Sequence, residues 1–201
     1  MKNRNFKKLL FIFLLAFLAI LERLWFDLGP NVEFITTLTI FASLFLGRRW
    51  GIGFSLFVLG LTDAFLGNNQ IMVFTWSAFA LECLVAFLVF ERVGFFKKKF
   101  LKRLFISSGM GASASVWFFL WTNFGVWFLD SWGMYPKTFS GLLSCYLAGL
   151  PFLKINLFTN MLFLPIGLVV FSLVFSWRKS VLYEKGLTLA RVSPFSRIQS
   201  F

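Results

Sequence analysis

Carboxylates and amides inside long apolar stretches are the residues of this chain that packing alone explains least well. Glu82 stands roughly halfway along one such stretch, where an ionised carboxylate without a partner costs several kcal/mol. Arg23 and Lys154 are cations that could reach a similar depth. Glu82 is therefore predicted to form either a structural ion pair or a site for a ligand or a proton.

Polar residues also gather around the connections between the apolar stretches. In "GPNVEF", Asn31 fits the cap of a helix with Glu33 near its positive end, and both could also face a cavity. Amides and carboxylates orient a small solute, while aromatic faces stack on a ring. The candidate residues for binding such a solute are Asn31, Glu33, Asp63, Trp121, Asn123, Trp127, Tyr135, Asn156 and Asn160.

The usual side chains for catalysis and metal binding are scarce. The chain contains no His, which removes the commonest general base and the imidazole metal ligands. Cys83 and Cys145 lie in apolar stretches outside any CxxC or Cys/His pattern, and no phosphate-binding loop motif occurs. An acid or base role for Glu82 or Asp63 would lack a paired nucleophile. We therefore expect no enzyme activity, no catalytic residue, no metal site and no cofactor.

The elements that must position these residues are membrane spans. Hydrophobic residues make up 59% and aromatic residues 21% of the 201 positions, and the mean hydropathy is +0.81. These shares far exceed those of a soluble domain. Apolar runs close to the ~20 residues that cross a bilayer predict six spans. They cover residues 9–28, 34–46, 50–66, 71–90, 104–121 and 152–177, with the second extending back to Asn31.

Two places depart from simple spans. Thr122 and Asn123 predict a broken end of the fifth span, which would line a cavity, while Trp127 also suits an aromatic belt at the interface. Residues 139–150 are apolar but reach only about 18 Å, so they predict a short re-entrant or interfacial helix that could close over a cavity as a lid, hinged at its flanking prolines. The predicted fold is an all-α integral membrane protein with six transmembrane helices and this short helix before the last.

Basic residues predict the orientation. Four precede the first span, two separate the second from the third, six separate the fourth from the fifth, and five follow the sixth. These 17 of the 20 Lys and Arg residues share one face, which the positive-inside rule assigns to the cytoplasm. Both termini are therefore predicted to be cytoplasmic, with a six-helix transmembrane domain over residues 1–178 and a cytoplasmic tail over 179–201. The net charge of +12, concentrated in "KKKFLKR", fits contact with anionic lipid rather than nucleic acid.

Small residues line one face of the fifth span. In "SSGMGASAS", Ser107, Gly111 and Ser115 recur every four residues, which permits another helix to approach closely. This face is predicted either to pack within the bundle or to dock a partner membrane subunit. The second possibility makes a membrane scaffold or assembly protein the alternative function.

Several motifs resemble those of a known group of sequences. "PNVEF", "TDAFLGN", "FTWSAFAL", "TNFGVW" and "YPKTFSGLLSCYLAGLPF" look like an uncharacterised family of bacterial proteins assigned to transport. That family is similar to the substrate-binding S components of energy-coupling-factor transporters. The resemblance covers roughly residues 30–160.

The resemblance implies an S-component-like bundle of six helices in the bacterial cytoplasmic (inner) membrane. Such a protein binds a vitamin-like or metal substrate on its outer face and associates with a coupling membrane subunit and paired ATPases. We therefore expect a membrane-embedded transporter, or its substrate-binding subunit, that takes up a vitamin-like or other small solute from the outer face. Its expected partners are this solute, the lipid bilayer and a coupling module.

Overall fold

The computed structural model describes residues 2–26, 32–67, 70–130 and 133–191, with side chains described at residue 6 and between residues 9 and 173 of these ranges. Within them the fold is all α-helical, as the sequence predicts. A 3-10 turn, Phe95–Lys97, lies between the fourth and fifth helices. The six helices are α1 (Lys2–Leu24), α2 (Ile35–Leu46), α3 (Arg48–Leu66), α4 (Met72–Arg92), α5 (Phe100–Leu129) and α6 (Phe139–Arg191).

The distribution of apolar and polar side chains indicates a membrane protein. Four helical segments of the described residues are long and apolar enough to cross a bilayer, namely Arg48–Leu66, Met72–Arg92, Phe100–Leu129 and Phe139–Leu173. Large apolar side chains are exposed on their outer faces, while hydroxyl, amide and carboxyl groups are buried. A water-soluble domain shows the opposite arrangement. The finer prediction of six crossings is not confirmed, because α2 is a shorter apolar helix.

Helix α2 is the centre of the helix packing. Every residue from Ile35 to Ser43 is buried, and α2 packs against α1, α3, α4 and α5. A single residue, Gly47, joins it to α3 with a φ of 80°, a conformation that other residues rarely adopt. A Cβ atom at Gly51 would lie 2.8 Å from the Cα of Ser43, so a glycine there lets the two helices approach closely.

Helix α5 continues without a break through the segment in which the sequence predicts one. Thr122 Oγ1 donates a hydrogen bond to the carbonyl oxygen of Phe118 at 2.7 Å, and Asn123 Nδ2 donates to that of Phe119 at 2.8 Å. These side chains satisfy themselves on their own helix, as short polar side chains do in apolar surroundings. The prediction of a broken span was wrong because neither residue needs a cavity or water.

The separate re-entrant or interfacial helix is also not confirmed. Residues 139–150 form the first turns of α6, which runs on through Pro151 and Pro165 to Arg191. A proline inside a helix removes one backbone hydrogen bond, and long apolar helices tolerate this loss when their neighbours support them. The lid hinged at Pro151 therefore has no counterpart in the described helix.

Contacts between Cα atoms divide the chain into two units, Met1–Pro165 and Ile166–Phe201. The first contains α1 to α5 and the first half of α6, and the described part of the second is the remainder of α6. Of the predicted tail over 179–201, residues 179–191 are helical, and the last ten residues lie outside the described ranges.

Candidate functional site

A charged cluster connects the ends of three helices. Arg23 lies in the last turn of α1 and Asp63 in the last turn of α3. Arg23 Nη2 donates to Asp63 Oδ1 at 2.6 Å, and the two side chains are only 15% and 5% exposed. An ion pair this well shielded holds its partners firmly, because either charge alone would be costly to bury.

Trp76 completes the coordination of the Asp63 carboxylate. Its indole Nε1, in the second turn of α4, donates to Asp63 Oδ2 at 2.6 Å, so both oxygens are engaged. Gly60 lies about one turn earlier on α3, where an added Cβ would come within 3.3 Å of the Trp76 ring. The glycine therefore leaves the space that the indole needs to reach Asp63.

Glu33 joins this cluster from the connection that precedes α2. Its side chain is half-buried, and α2 begins two residues later with Phe34, rather than Asn31, at the N-cap position. Burial raises the pKa of Glu33 above its ordinary value, the positive charge of Arg23 lowers it, and the negative charge of Asp63 raises it. Glu33 and Asp63, two of the predicted binding residues, are therefore near enough for their charges to interact. Asn31 lies outside the described residues.

Glu82 is the deepest carboxylate of the cluster. It is only 4% exposed, and neither carboxylate oxygen has a hydrogen-bond partner within the described residues. Of the two cations that the sequence offers, Arg23 pairs with Asp63, and Lys154 is exposed on α6. Glu33 is the neighbour whose charge acts on Glu82. The ion-pair alternative for Glu82 therefore finds no partner among the described side chains.

A cavity of about 250 Å³ lies beside Glu82 between α4 and α5. Most of its wall is apolar, and the indole Nε1 of Trp117 is buried there without a hydrogen-bond partner in the described part of the chain. The lining residues are Leu81, Glu82, Val85, Met110, Ser113, Ala114 and Trp117.

Trp121 belongs to a ladder of stacked rings along α5 rather than to the charged cluster. Trp117, Trp121, Phe124 and Phe128 stack in sequence with ring centroids 5.6 to 5.9 Å apart. Trp121 Nε1 also donates to Ser77 Oγ on α4 at 2.8 Å. This hydrogen bond connects α5 to α4. The indole nitrogen of Trp121, a predicted binding residue, is therefore already hydrogen-bonded within the protein.

Three of the four predicted asparagines lie where α5 packs against the first half of α6. Asn160 Nδ2 donates to Ser115 Oγ and to Asn156 Oδ1, both at 3.0 Å, and the Asn123 carbonyl accepts from Cys145 Sγ. Asn123 and Asn156 line the same cavity, but it measures only about 30 Å³. Such a space holds a water molecule or so and not a solute.

The small residues of α5 face this same interface. A Cβ at Gly111 would lie 2.6 Å from the backbone oxygen of Asn160, and Ser115 Oγ donates to the backbone oxygen of Asn156 at 3.2 Å. This face is therefore covered by α6 of the same chain. These contacts support packing within the bundle, which is the first of the two alternatives predicted from the sequence.

Replacing Asn160 with alanine tests whether the asparagines serve helix packing. We expect Asn160→Ala to lower the free energy of unfolding by about 1 to 2 kcal/mol, because one hydrogen bond between the helices and one within α6 are lost. Thr159→Ala is the matched control, since Thr159 Oγ1 bonds only to carbonyls of its own helix. Denaturation in mixed detergent micelles measures both, and equal stabilities for the two variants would contradict this role.

Trp127 and Tyr135 lie at the connection between α5 and α6. Trp127 Nε1 donates to the carbonyl oxygen of Pro136 at 3.0 Å, and the backbone nitrogen of Tyr135 donates to Asp130 Oδ1 at 3.1 Å. The Lys137 ammonium lies over the Trp127 ring and bonds to the carbonyls of Trp127 and Phe128. A cation is favourable at the C-terminal end of a helix, so these contacts stabilise the end of α5.

The predicted binding residues thus fall into separate groups instead of lining one cavity. Glu33 and Asp63 share the charged cluster, the asparagines share the α5–α6 interface, and Trp127 and Tyr135 share a connection. Sequence reasoning missed Trp76, although a signal existed. Asp63 and Trp76 lie about 4.5 and 6 Å from the facing ends of α3 and α4, so an antiparallel helical hairpin brings them to the same depth.

An open apolar groove lies among α1, α2 and α3. Its volume is about 720 Å³, and its wall offers no charged side chain. It suits acyl chains better than a polar solute. The lining residues are Leu9, Ile12, Phe13, Phe45, Leu46, Trp50, Gly53, Phe54 and Phe57.

Within the described ranges, no group of three or more His, Cys, Asp or Glu residues is placed to hold a metal ion. No curated protein and no solved structure matches the chain. A family model matches residues 3–183, which is most of the sequence. The chain therefore belongs to a family of unknown function, DUF6580.

Proposed function

We propose that this protein is a membrane-embedded small-molecule transporter or the substrate-binding subunit of one. The observation that carries the proposal is the charged cluster of Arg23, Glu33, Asp63, Trp76 and Glu82. Ionisable groups at membrane depth are costly and are retained mainly where a solute, an ion or a proton passes. Apolar side chains would close the same helix ends at lower cost.

The exposure of the cluster favours access from one end of the bundle. Arg23 retains 15% exposure and Glu33 is half-buried, whereas Asp63 and Glu82 are almost fully enclosed. A polar solute entering at this end meets the Arg23 and Glu33 side chains first. It then meets Asp63, whose two partners belong to different helices and can separate when the helices move.

The resemblance to S components supplies the rest of the proposal. In this proposal the protein is a multi-pass protein of the bacterial cytoplasmic membrane with both termini in the cytoplasm, and the charged cluster faces outward. The solute is vitamin-like or another small molecule. A coupling membrane subunit with ATPases would supply the energy, and no catalytic role falls to this chain.

Native mass spectrometry of gently extracted protein tests the proposal. We expect the wild-type protein to retain a small molecule, and Asp63→Asn to lose it, because the substitution removes the charge that organises Arg23 and Trp76. The matched control is Asp130→Asn, the same chemical change in the connection after α5, which is expected to keep the molecule. The same spectra would reveal a coupling subunit.

Two results would contradict the proposal. One is the recovery of wild-type protein without any bound small molecule after extraction in several mild detergents. The other is equal retention by wild type and Asp63→Asn when both elute as folded protein on size exclusion.

A further inference from the structure

The Glu82 carboxyl group has no hydrogen-bond donor among the described residues, and the residue is 4% exposed. An ionised carboxylate in such a place would keep its full desolvation cost. A proton or a cation must therefore neutralise it. Helix α4, which carries Glu82, is among the helices long and apolar enough to span a bilayer, where an ionised side chain is costly.

Within the described part of the chain, no cationic side chain is placed to neutralise the Glu82 carboxylate. Arg23 is bound to Asp63, with Glu22 as its neighbour on α1, and Lys154 is exposed. On α5, the cation nearest along the helix to the Glu82 cavity is Arg103, which lies about two turns from Met110 in the cavity wall. Besides Glu82, the wall of the cavity offers one side-chain oxygen, that of Ser113, which is too few for a metal cation and favours a proton as the partner.

Glu33, in the connection before α2, is the other carboxyl group that bears on Glu82. Its negative charge acts on Glu82, and its own side chain is half-buried. Two carboxyl groups that interact this way do not both ionise without cost, so they take up and release protons as a pair. The two oxygens of Asp63 are engaged by Arg23 and Trp76.

We propose that Glu82 and Glu33 form a two-carboxyl proton-binding site, in which Glu82 holds a proton that it exchanges through Glu33 with the surface at the Arg23 end of the bundle. The exchange breaks the O–H bond on Glu82, a bridging water molecule relays the proton to Glu33, where a new O–H bond forms, and Glu33 then releases it to bulk water, with no change in electrons. The site does not depend on any transported solute. It can therefore be tested even if the transport proposal fails.

A lipophilic carbodiimide gives a direct test on the full-length protein in membranes. The reagent adds across the O–H bond of a protonated carboxyl group, and the acyl product rearranges to a stable acylurea without a leaving group. The cavity of about 250 Å³ beside Glu82 gives the reagent access. Peptide mass spectrometry then locates the added mass.

We expect Glu82 to be labelled at neutral pH several-fold more than Glu91, an exposed glutamate at the far end of the same helix. The labelling should fall in alkaline medium. Glu33→Gln, which removes the neighbouring negative charge, should reduce Glu82 labelling severalfold at mildly alkaline pH. Equal labelling of Glu82 in wild type and Glu33→Gln would overturn the paired site.

Infrared spectroscopy keeps the test independent of reagent access. At neutral pH the wild-type protein should show the carbonyl band of a protonated carboxyl group, and this band should be absent from Glu82→Gln and retained in Glu91→Gln. If the wild type and Glu82→Gln give the same carbonyl region, Glu82 holds no proton and the inference is wrong.

Discussion

Arg23→Met is expected to lower the free energy of unfolding by about 3 kcal/mol, because it leaves the Asp63 carboxylate buried with a single indole donor. The expected loss of stability lies at the lower end of the range for broken buried ion pairs, because the Arg23 side chain keeps 15% exposure. Methionine preserves most of the side-chain volume, so the loss of stability results from the missing charge and not from a cavity. Unfolding in mixed detergent micelles measures the effect.

A second substitution separates the lost charge from lost packing. In Arg23→Met combined with Asp63→Asn no uncompensated charge remains, and we expect the double variant to recover at least half of the lost stability. Arg92→Met is the matched control, because Arg92 is exposed in the last turn of α4. A double variant less stable than Arg23→Met would show that the ion pair is not what Arg23 contributes.

Gly111→Leu is expected to cost about 3 kcal/mol of stability or to prevent recovery of folded protein. A Cβ at this position would lie 2.6 Å from the backbone oxygen of Asn160 and 3.0 Å from Leu164 Cδ1, so α5 and α6 would have to separate. Overpacking of a close helix contact carries costs of this size. The separation would also break the Ser115 bonds to Asn156 and Asn160.

Gly109→Leu provides the control on the same helix. An added Cβ at Gly109 meets no atom within 4 Å, and the position is exposed. Leucine has the higher helix propensity, so this variant should match or slightly exceed the wild type in thermal stability. Equal losses at positions 109 and 111 would mean that the two helices do not pack through the small-residue face.

Much of the fold follows from the sequence because apolar runs determine helices in a membrane. The second to fourth predicted spans coincide closely with α2, α3 and α4. The errors concern where helices stop. Thr122, Asn123 and Pro151 are helix-disrupting by type, but hydrogen bonds to the same helix and support from neighbouring helices keep α5 and α6 continuous.

The site was less predictable than the fold, because helical periodicity fixes the face of a residue and not the neighbour that it meets. The sequence places Glu33 and Asp63 at one end of the bundle, and the structure brings them into one cluster. The sequence does not show that Arg23 pairs with Asp63 rather than with Glu82, because this pairing depends on how α1 and α3 are rotated about their axes. Asn156 and Asn160 share a face as predicted, but that face meets α5, and the cavity that Asn156 lines there measures only about 30 Å³.

The brevity and enclosure of α2 have a consequence for biogenesis. Its 12 residues rise about 18 Å, too little to cross the bilayer alone, and it carries three buried threonines into the middle of its neighbours. Gly47 turns the chain directly into α3, so we expect the two helices to insert as one hairpin. Because α2 packs against α1, α3, α4 and α5, Thr36, Thr37 and Thr39 are expected to become fully buried only after the later helices have been synthesised.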